Sequence, residues 1–186
     1  MVDGSVISTP EDVLKFWFGE LSYEHWFTPS ADLDGECVRR FRATHLALSR
    51  KLDELWRASP ENQLAAIILF DQLPRNMYRG SPLAFATDGL ALREAKLAVG
   101  ANADLAVSKE WRAFFYLPFE HSENLADQTM SVKLFTELGD ANYLDYAIRH
   151  REVIERFGRF PHRNAILGRQ STPDEEAYLA EPGAGF

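Results

Sequence analysis

The 186-residue chain has a single cysteine, Cys37, so no intrachain disulfide can staple it. This suits a reducing compartment. Cys37 falls inside a helical pattern, where a small buried filler is the expected role rather than a nucleophile. Long apolar runs are missing too: the longest, Leu64 to Phe70, is far short of the roughly 20 residues that a transmembrane helix requires. Positive charge is scarce, since 20 Lys and Arg face 28 Asp and Glu for a formal net charge of -8. Nucleic acid and anionic membrane would be repelled at long range, so neither partner is expected, and any anion site must be local. The N-terminal stretch "MVDGSVISTPEDV" carries acids where a secretory signal would carry positive charge and then a long apolar segment. A cytoplasmic location is the expectation.

Specialised motifs are equally sparse. There is no phosphate-binding glycine loop, no nucleophile elbow, no zinc-type cysteine pair, and neither His-Glu-x-x-His nor the Glu-x-x-His of di-iron bundles. No cofactor and no metal are therefore expected. Runs of alternating β-branched residues between turn signals are absent as well, which excludes convincing strands.

What remains is helical punctuation and apolar material, 46% of residues, enough for the core of one domain over 1–186, with a core at about 9–180 and a frayed tail at 181–186. Thr9-Pro10-Glu11-Asp12 reads as a cap, a first-turn proline and acids at the positive helix end, with Gly19 as the stop. Val38, Phe41, Leu48, Leu52 and Leu55 predict one buried stripe on a helix over about 33–56, with His45 in the remaining place. Ser59-Pro60 and Ser81-Pro82 open helices near 60–73 and 82–99. Ser108 caps another, which Pro118 should kink or end, and Ser122 is the expected cap of a helix over 122–138. A last long helix covers 141–157, with Gly139 and Gly158 closing these two. Thr172-Pro173-Asp174-Glu175 starts a final short helix. The class is all-α, with short links that favour antiparallel neighbours.

Three stretches, "ILFDQLPRNMYRG", "FFYLPFEHSE" and "RFGRFPHRNAILGRQSTPDEE", in this order and across roughly Val13 to Leu179, resemble one family, the domain of unknown function 924. The resemblance implies an all-helical, tetratricopeptide-like stack, in agreement with the antiparallel hairpins of six to eight helices read above. It implies no activity, and it carries over no catalytic residue.

The residues themselves offer three constellations. The segment Arg149 to Arg169 holds six arginines against two glutamates, a local reversal of the overall charge. A planar guanidinium binds carboxylate or phosphate in bidentate fashion, so Arg163 and Arg169 are candidate anion binders, with His162 and Asn164 orienting the anion. The alternative is that these arginines pair with acids of other helices and pin the corner. Asp71 lies four residues before Arg75 on the core-facing side of its helix, where a carboxylate must be paired. With Asn76 it forms a second polar patch, either ligand-binding or structural. Glu120 and His121 could serve as acid and base, with the arginines stabilising developing negative charge. Finally His150, like His45, continues an apolar stripe and should face inward, so that His45, His121, His150 and His162 could converge. The leading expectation is a binding module for an anionic small molecule or acidic peptide. An enzyme built on Glu120 and His121, and a purely structural use of all these residues, are its rivals.

Overall fold

The computed structural model describes residues 7–185; the start of the N-terminal stretch and the last residue of the tail read above lie outside them. Among the described residues the secondary structure is helical and no strand occurs. The chain forms two compact units, one of residues up to Arg79 together with Leu83–Pro118, the other of Gly80–Pro82 and the rest from Phe119 onward.

In the first unit α1 (Pro10–Leu14) opens with a reciprocal cap: the Thr9 hydroxyl accepts the Asp12 N–H at 3.2 Å and the Asp12 carboxylate accepts the Thr9 N–H at 2.8 Å. Gly19 does not stop the chain there. A wide π turn, Lys15–Glu20, carries it through Gly19 and closes on a Leu21 N–H to Phe16 carbonyl bond, and both Phe16 and Trp17 are buried along it. After α2 (Tyr23–Phe27), the helix expected over 33–56 forms only as α3 (Ala31–Leu48). Local side-chain bonds compete with it beyond Leu48: the Ser49 hydroxyl donates to the Leu46 carbonyl, and the Asp53 carboxylate accepts from Leu55 N–H, starting a separate 3-10 turn, Glu54–Arg57. Trp56 is buried by that turn rather than by the helix.

The core helix is α4 (Pro60–Met77), capped by Ser59 and buried without a break from Leu64 to Pro74. It runs past the expected end at 73 because the cost of Pro74 is met locally. Proline lacks the N–H that would reach the Phe70 carbonyl, and the buried Thr87 hydroxyl donates to that carbonyl instead, at 2.7 Å. The helix expected over 82–99 begins as a 3-10 turn, Pro82–Phe85, and becomes α5 (Asp88–Gly100), which packs on α4 as α3 does. Then α6 (Lys109–Glu120) passes Pro118 without ending, its last two residues belonging to the second unit.

The second unit is a hairpin of α7 (Leu125–Leu138) and α8 (Ala141–Phe157), followed by a proline corner and α9 (Pro173–Leu179). The cap of α7 is Asn124, whose side chain accepts the Ala126 N–H, and not Ser122; the Ser122 hydroxyl instead accepts from Asn124 N–H and donates to Asp127. Gly139 in the left-handed region and the capping Asp140 make a link too short for anything but antiparallel helices. A small core of Val153, Ile154 and Phe160, with Phe157 and Tyr178 against it, joins α8 to α9. Nine α-helices thus form among the described residues, against the six to eight expected, the one not anticipated being the short α2.

Candidate functional site

The polar side chains singled out in the sequence fall into both units, and in the second unit most of them meet. The C-terminal end of α6 presents carbonyls without intrahelical partners. The Gln128 amide donates to the Glu120 and Ser122 carbonyls at 2.6 and 2.7 Å, and the Arg163 guanidinium donates to the His121 carbonyl at 3.1 Å. Positive charge at this helix end is favourable in itself. Arg163 comes from the 3-10 corner Pro161–Arg163, is only 7% exposed, and lies over the Phe160 ring, 4.5 Å from its centre.

Three histidines lie in the neighbourhood of that guanidinium. His150, facing inward from α8 as expected and 5% exposed, places its Nδ1 2.8 Å from the Tyr146 carbonyl and 3.5 Å from Glu120. A carbonyl only accepts, so Nδ1 carries the proton. Burial, reinforced by His121, Arg163 and His162 nearby, holds the His150 pKa well below the usual histidine value. His162 is half-buried, and burial together with Arg163 lowers it to about 4. Both rings are therefore neutral hydrogen-bonding groups at neutral pH, and Arg163 is the charged group beside them. Gly185 packs so closely on His162 that a Cβ there would stand 3.0 Å from the histidine Cβ.

The neighbouring arginines are committed. Arg169 grips Glu123 with two bonds of 2.7 and 2.9 Å and also donates to Asn164 and to the Phe160 carbonyl. Burial works to raise the Glu123 pKa, but Arg169 and the Phe160 N–H more than offset it and hold it below the usual value. Asn164, almost fully buried, donates to Ser171 and Glu175. Glu175 in turn receives two bonds from Arg159 and the Thr172 N–H, and Arg159 foremost, against burial, brings it to about 2. A polar chain thus runs Glu123, Arg169, Asn164, Glu175, Arg159. It fastens the corner, and of the six arginines between 149 and 169 it uses two.

In the first unit the candidates are held by internal partners. Asp71, fully buried, takes a bond from Gln72 and lies 3.3 Å from Arg75, the spacing expected from the sequence. Arg75 also pairs bidentately with Asp88, and Asn76 donates to Asp34 beside Arg79. His45 is buried as expected, with Nε2 3.1 Å from the Thr87 hydroxyl and Nδ1 3.3 Å from the Tyr78 hydroxyl. It belongs to this unit, so the convergent histidines of the second unit are His121, His150 and His162. Cys37 is buried, and its thiol is pushed up to about 12, principally by burial, which makes it inert at neutral pH. Among the described residues no group of three His, Cys, Asp or Glu is arranged to hold a metal ion, and no helix is long and apolar enough to cross a membrane.

A cleft that sequence reasoning did not single out opens on the second unit. It measures about 420 Å³ and is lined by Arg156, Phe157, Arg159, Thr172, Asp174 and Glu175. Arg156 lay within the basic segment, but nothing in its spacing marked it off from the other arginines.

Comparison with known proteins adds a family and no activity. The family described as "Bacterial protein of unknown function (DUF924)" matches residues 13–183. No curated protein matches the chain. Among solved structures, that of the protein of unknown function ATU0120 from Agrobacterium tumefaciens is 42% identical, with a TM-score of 0.87 over 92% of this chain and 96% of that one.

Proposed function

Because the chain belongs to the DUF924 family of bacterial proteins of unknown function, we propose its role from the site: it is a binding protein whose second unit takes an anionic small molecule or acidic peptide end at Arg163, His162 and His121. The observation that carries this is the nearness of His121, His150 and His162 to one buried guanidinium, which bonds the His121 carbonyl and whose charge acts on His150 and His162. Buried titratable groups with displaced pKa values are costly to a fold and cluster at sites of function. In this arrangement Arg163 supplies the charge, and the neutral His162 imidazole, with the His121 ring, supplies directional hydrogen bonds. Asn164 and Arg169 position the corner through Glu175 and Glu123, and Asp71, Arg75 and Asn76 stiffen the first unit. The acidic surface, with a net charge of -8, disfavours nucleic acid and anionic membrane as partners, and the lone buried cysteine suits the cytoplasm.

Thermal-shift titration with citrate, phosphate and an N-acetylated acidic dipeptide tests this. At least one should give a saturable rise in Tm, distinct from the unsaturating rise of excluded salts. Arg163→Gln should abolish it while the far-ultraviolet spectrum stays helical. If no anion stabilises the protein, or the variant responds as the wild type does, the proposal fails. The 3.5 Å approach of Glu120 to His150 favours a second use of the same corner, acid and base chemistry by Glu120 and His121 on the bound molecule. Glu120→Gln would then remove turnover of that molecule and leave its binding intact.

A further inference from the structure

The cleft between α8 and α9 carries its own chemistry, independent of the histidine corner. Two cations and two carboxylates line it. Arg159 and Glu175 neutralise each other through bonds of 2.6 and 2.7 Å, and both ends of that pair have further partners in the Gln170 carbonyl and the Thr172 N–H. One of each sign is left. Arg156 is exposed and makes no ion pair among the described residues; its guanidinium lies 4.6 Å from the Phe157 ring centre and 5.9 Å from that of Tyr178. Stacked on rings, a guanidinium keeps the N–H edges that bind a carboxylate. Asp174, exposed in the first turn of α9, likewise has no cation bound to it among the described residues.

We propose that this cleft is a binding site for a zwitterion of amino-acid or dipeptide size, its carboxylate on Arg156 and its ammonium on Asp174. The charges select for this class. A simple anion meets Asp174, a simple cation meets Arg156, and only a ligand carrying both satisfies both walls. The volume of about 420 Å³ falls toward the small end of the range of about 300–1,000 Å³ found for small-molecule sites. Phe157, which also lines the cleft, offers apolar contact for a side chain.

The probe is L-alanyl-L-alanine, with its N-acetylated and C-amidated forms, titrated into the full chain labelled with nitrogen-15. The free dipeptide should shift the amides of Arg156, Phe157, Thr172 and Asp174 saturably, and each blocked form, lacking one charge, should lose that response. Arg156→Gln and Asp174→Asn should each weaken binding about tenfold or more, as expected for a lost charge-assisted bond. Both side chains are exposed, so the variants should keep the wild-type spectrum elsewhere. Arg163→Gln should bind the dipeptide normally, which separates this site from the anion corner. Absence of a saturable shift, an equal response to either blocked form, or unchanged binding by either cleft variant overturns the proposal.

Discussion

Glu175 is the residue on which the C-terminal segment turns. Its carboxylate receives the Thr172 N–H that starts α9, the Arg159 guanidinium and the Asn164 amide. Because its pKa is depressed to about 2, the stability it contributes is complete above the unfolded value of about 4.3 and is lost as pH falls through the folded one. Glu175→Gln should therefore lower Tm at neutral pH and flatten the fall in Tm between about pH 4 and pH 2. Thermal scans of variant and wild type across that window check this; parallel curves would show that the charge on Glu175 contributes nothing to stability. Pairings at this scale were legible only where they were local. Asp71 with Arg75, one helical turn apart, follows from helix geometry. Glu123 with Arg169 joins residues 46 apart, and no periodicity in the chain says that the loop after α6 meets the corner after α8.

Helices read well from their ends, because caps and closing glycines are local chemistry. Thr9, Ser59, Thr172, Gly139 and Gly158 all act where the sequence placed them. Misreadings arose where a distant partner or a local side chain changed the balance. Pro74 ought to end α4, yet Thr87 satisfies the Phe70 carbonyl and the helix continues. Leu52 and Leu55 extend the stripe of α3 in register, yet Ser49 and Asp53 end it first. Two glycine substitutions separate conformation from packing. Gly35 lies inside α3, and beyond its own helix backbone no atom comes within 4 Å of the place a methyl group would take, so Gly35→Ala should stabilise by about 0.5–1 kcal/mol. Gly158 is equally uncrowded but sits at φ +69°, so Gly158→Ala should destabilise by about 1 kcal/mol through backbone strain alone. Urea unfolding of both variants decides the matter, and shifts of the same sign would refute it.

For the molecule as a whole, the all-α class was legible because every signal for it is local, whereas the division into two units depends on which helix faces meet, and amphipathic stripes name no partner. The histidine corner was half legible for the same reason. An imidazole on an apolar stripe marks a buried ring, but only the fold could assign His45 to one unit and His150 to the other. Those buried rings have a consequence for stability in mild acid. His45 and His162 are lowered to about 4 and His150 well below its usual value, burial being the main cause in each. A histidine kept neutral by folding stabilises fully above the unfolded value of about 6.5, and that contribution is lost as pH falls toward the folded one, because the unfolded chain takes up the proton first. At about pH 5 each such ring costs up to about 2 kcal/mol, less for the half-buried His162, and most carboxylates are still ionised. The urea midpoint should therefore drop clearly between about pH 7 and about pH 5, before acid unfolding by carboxylates begins. His45→Gln, which keeps a hydrogen-bonding group beside Thr87, should lower the midpoint at pH 7 but shrink the pH-dependent drop. A midpoint unchanged over this interval, or a drop of the same size in the variant, would mean that His45 is protonated in the folded state at no cost and that its burial does not govern its charge.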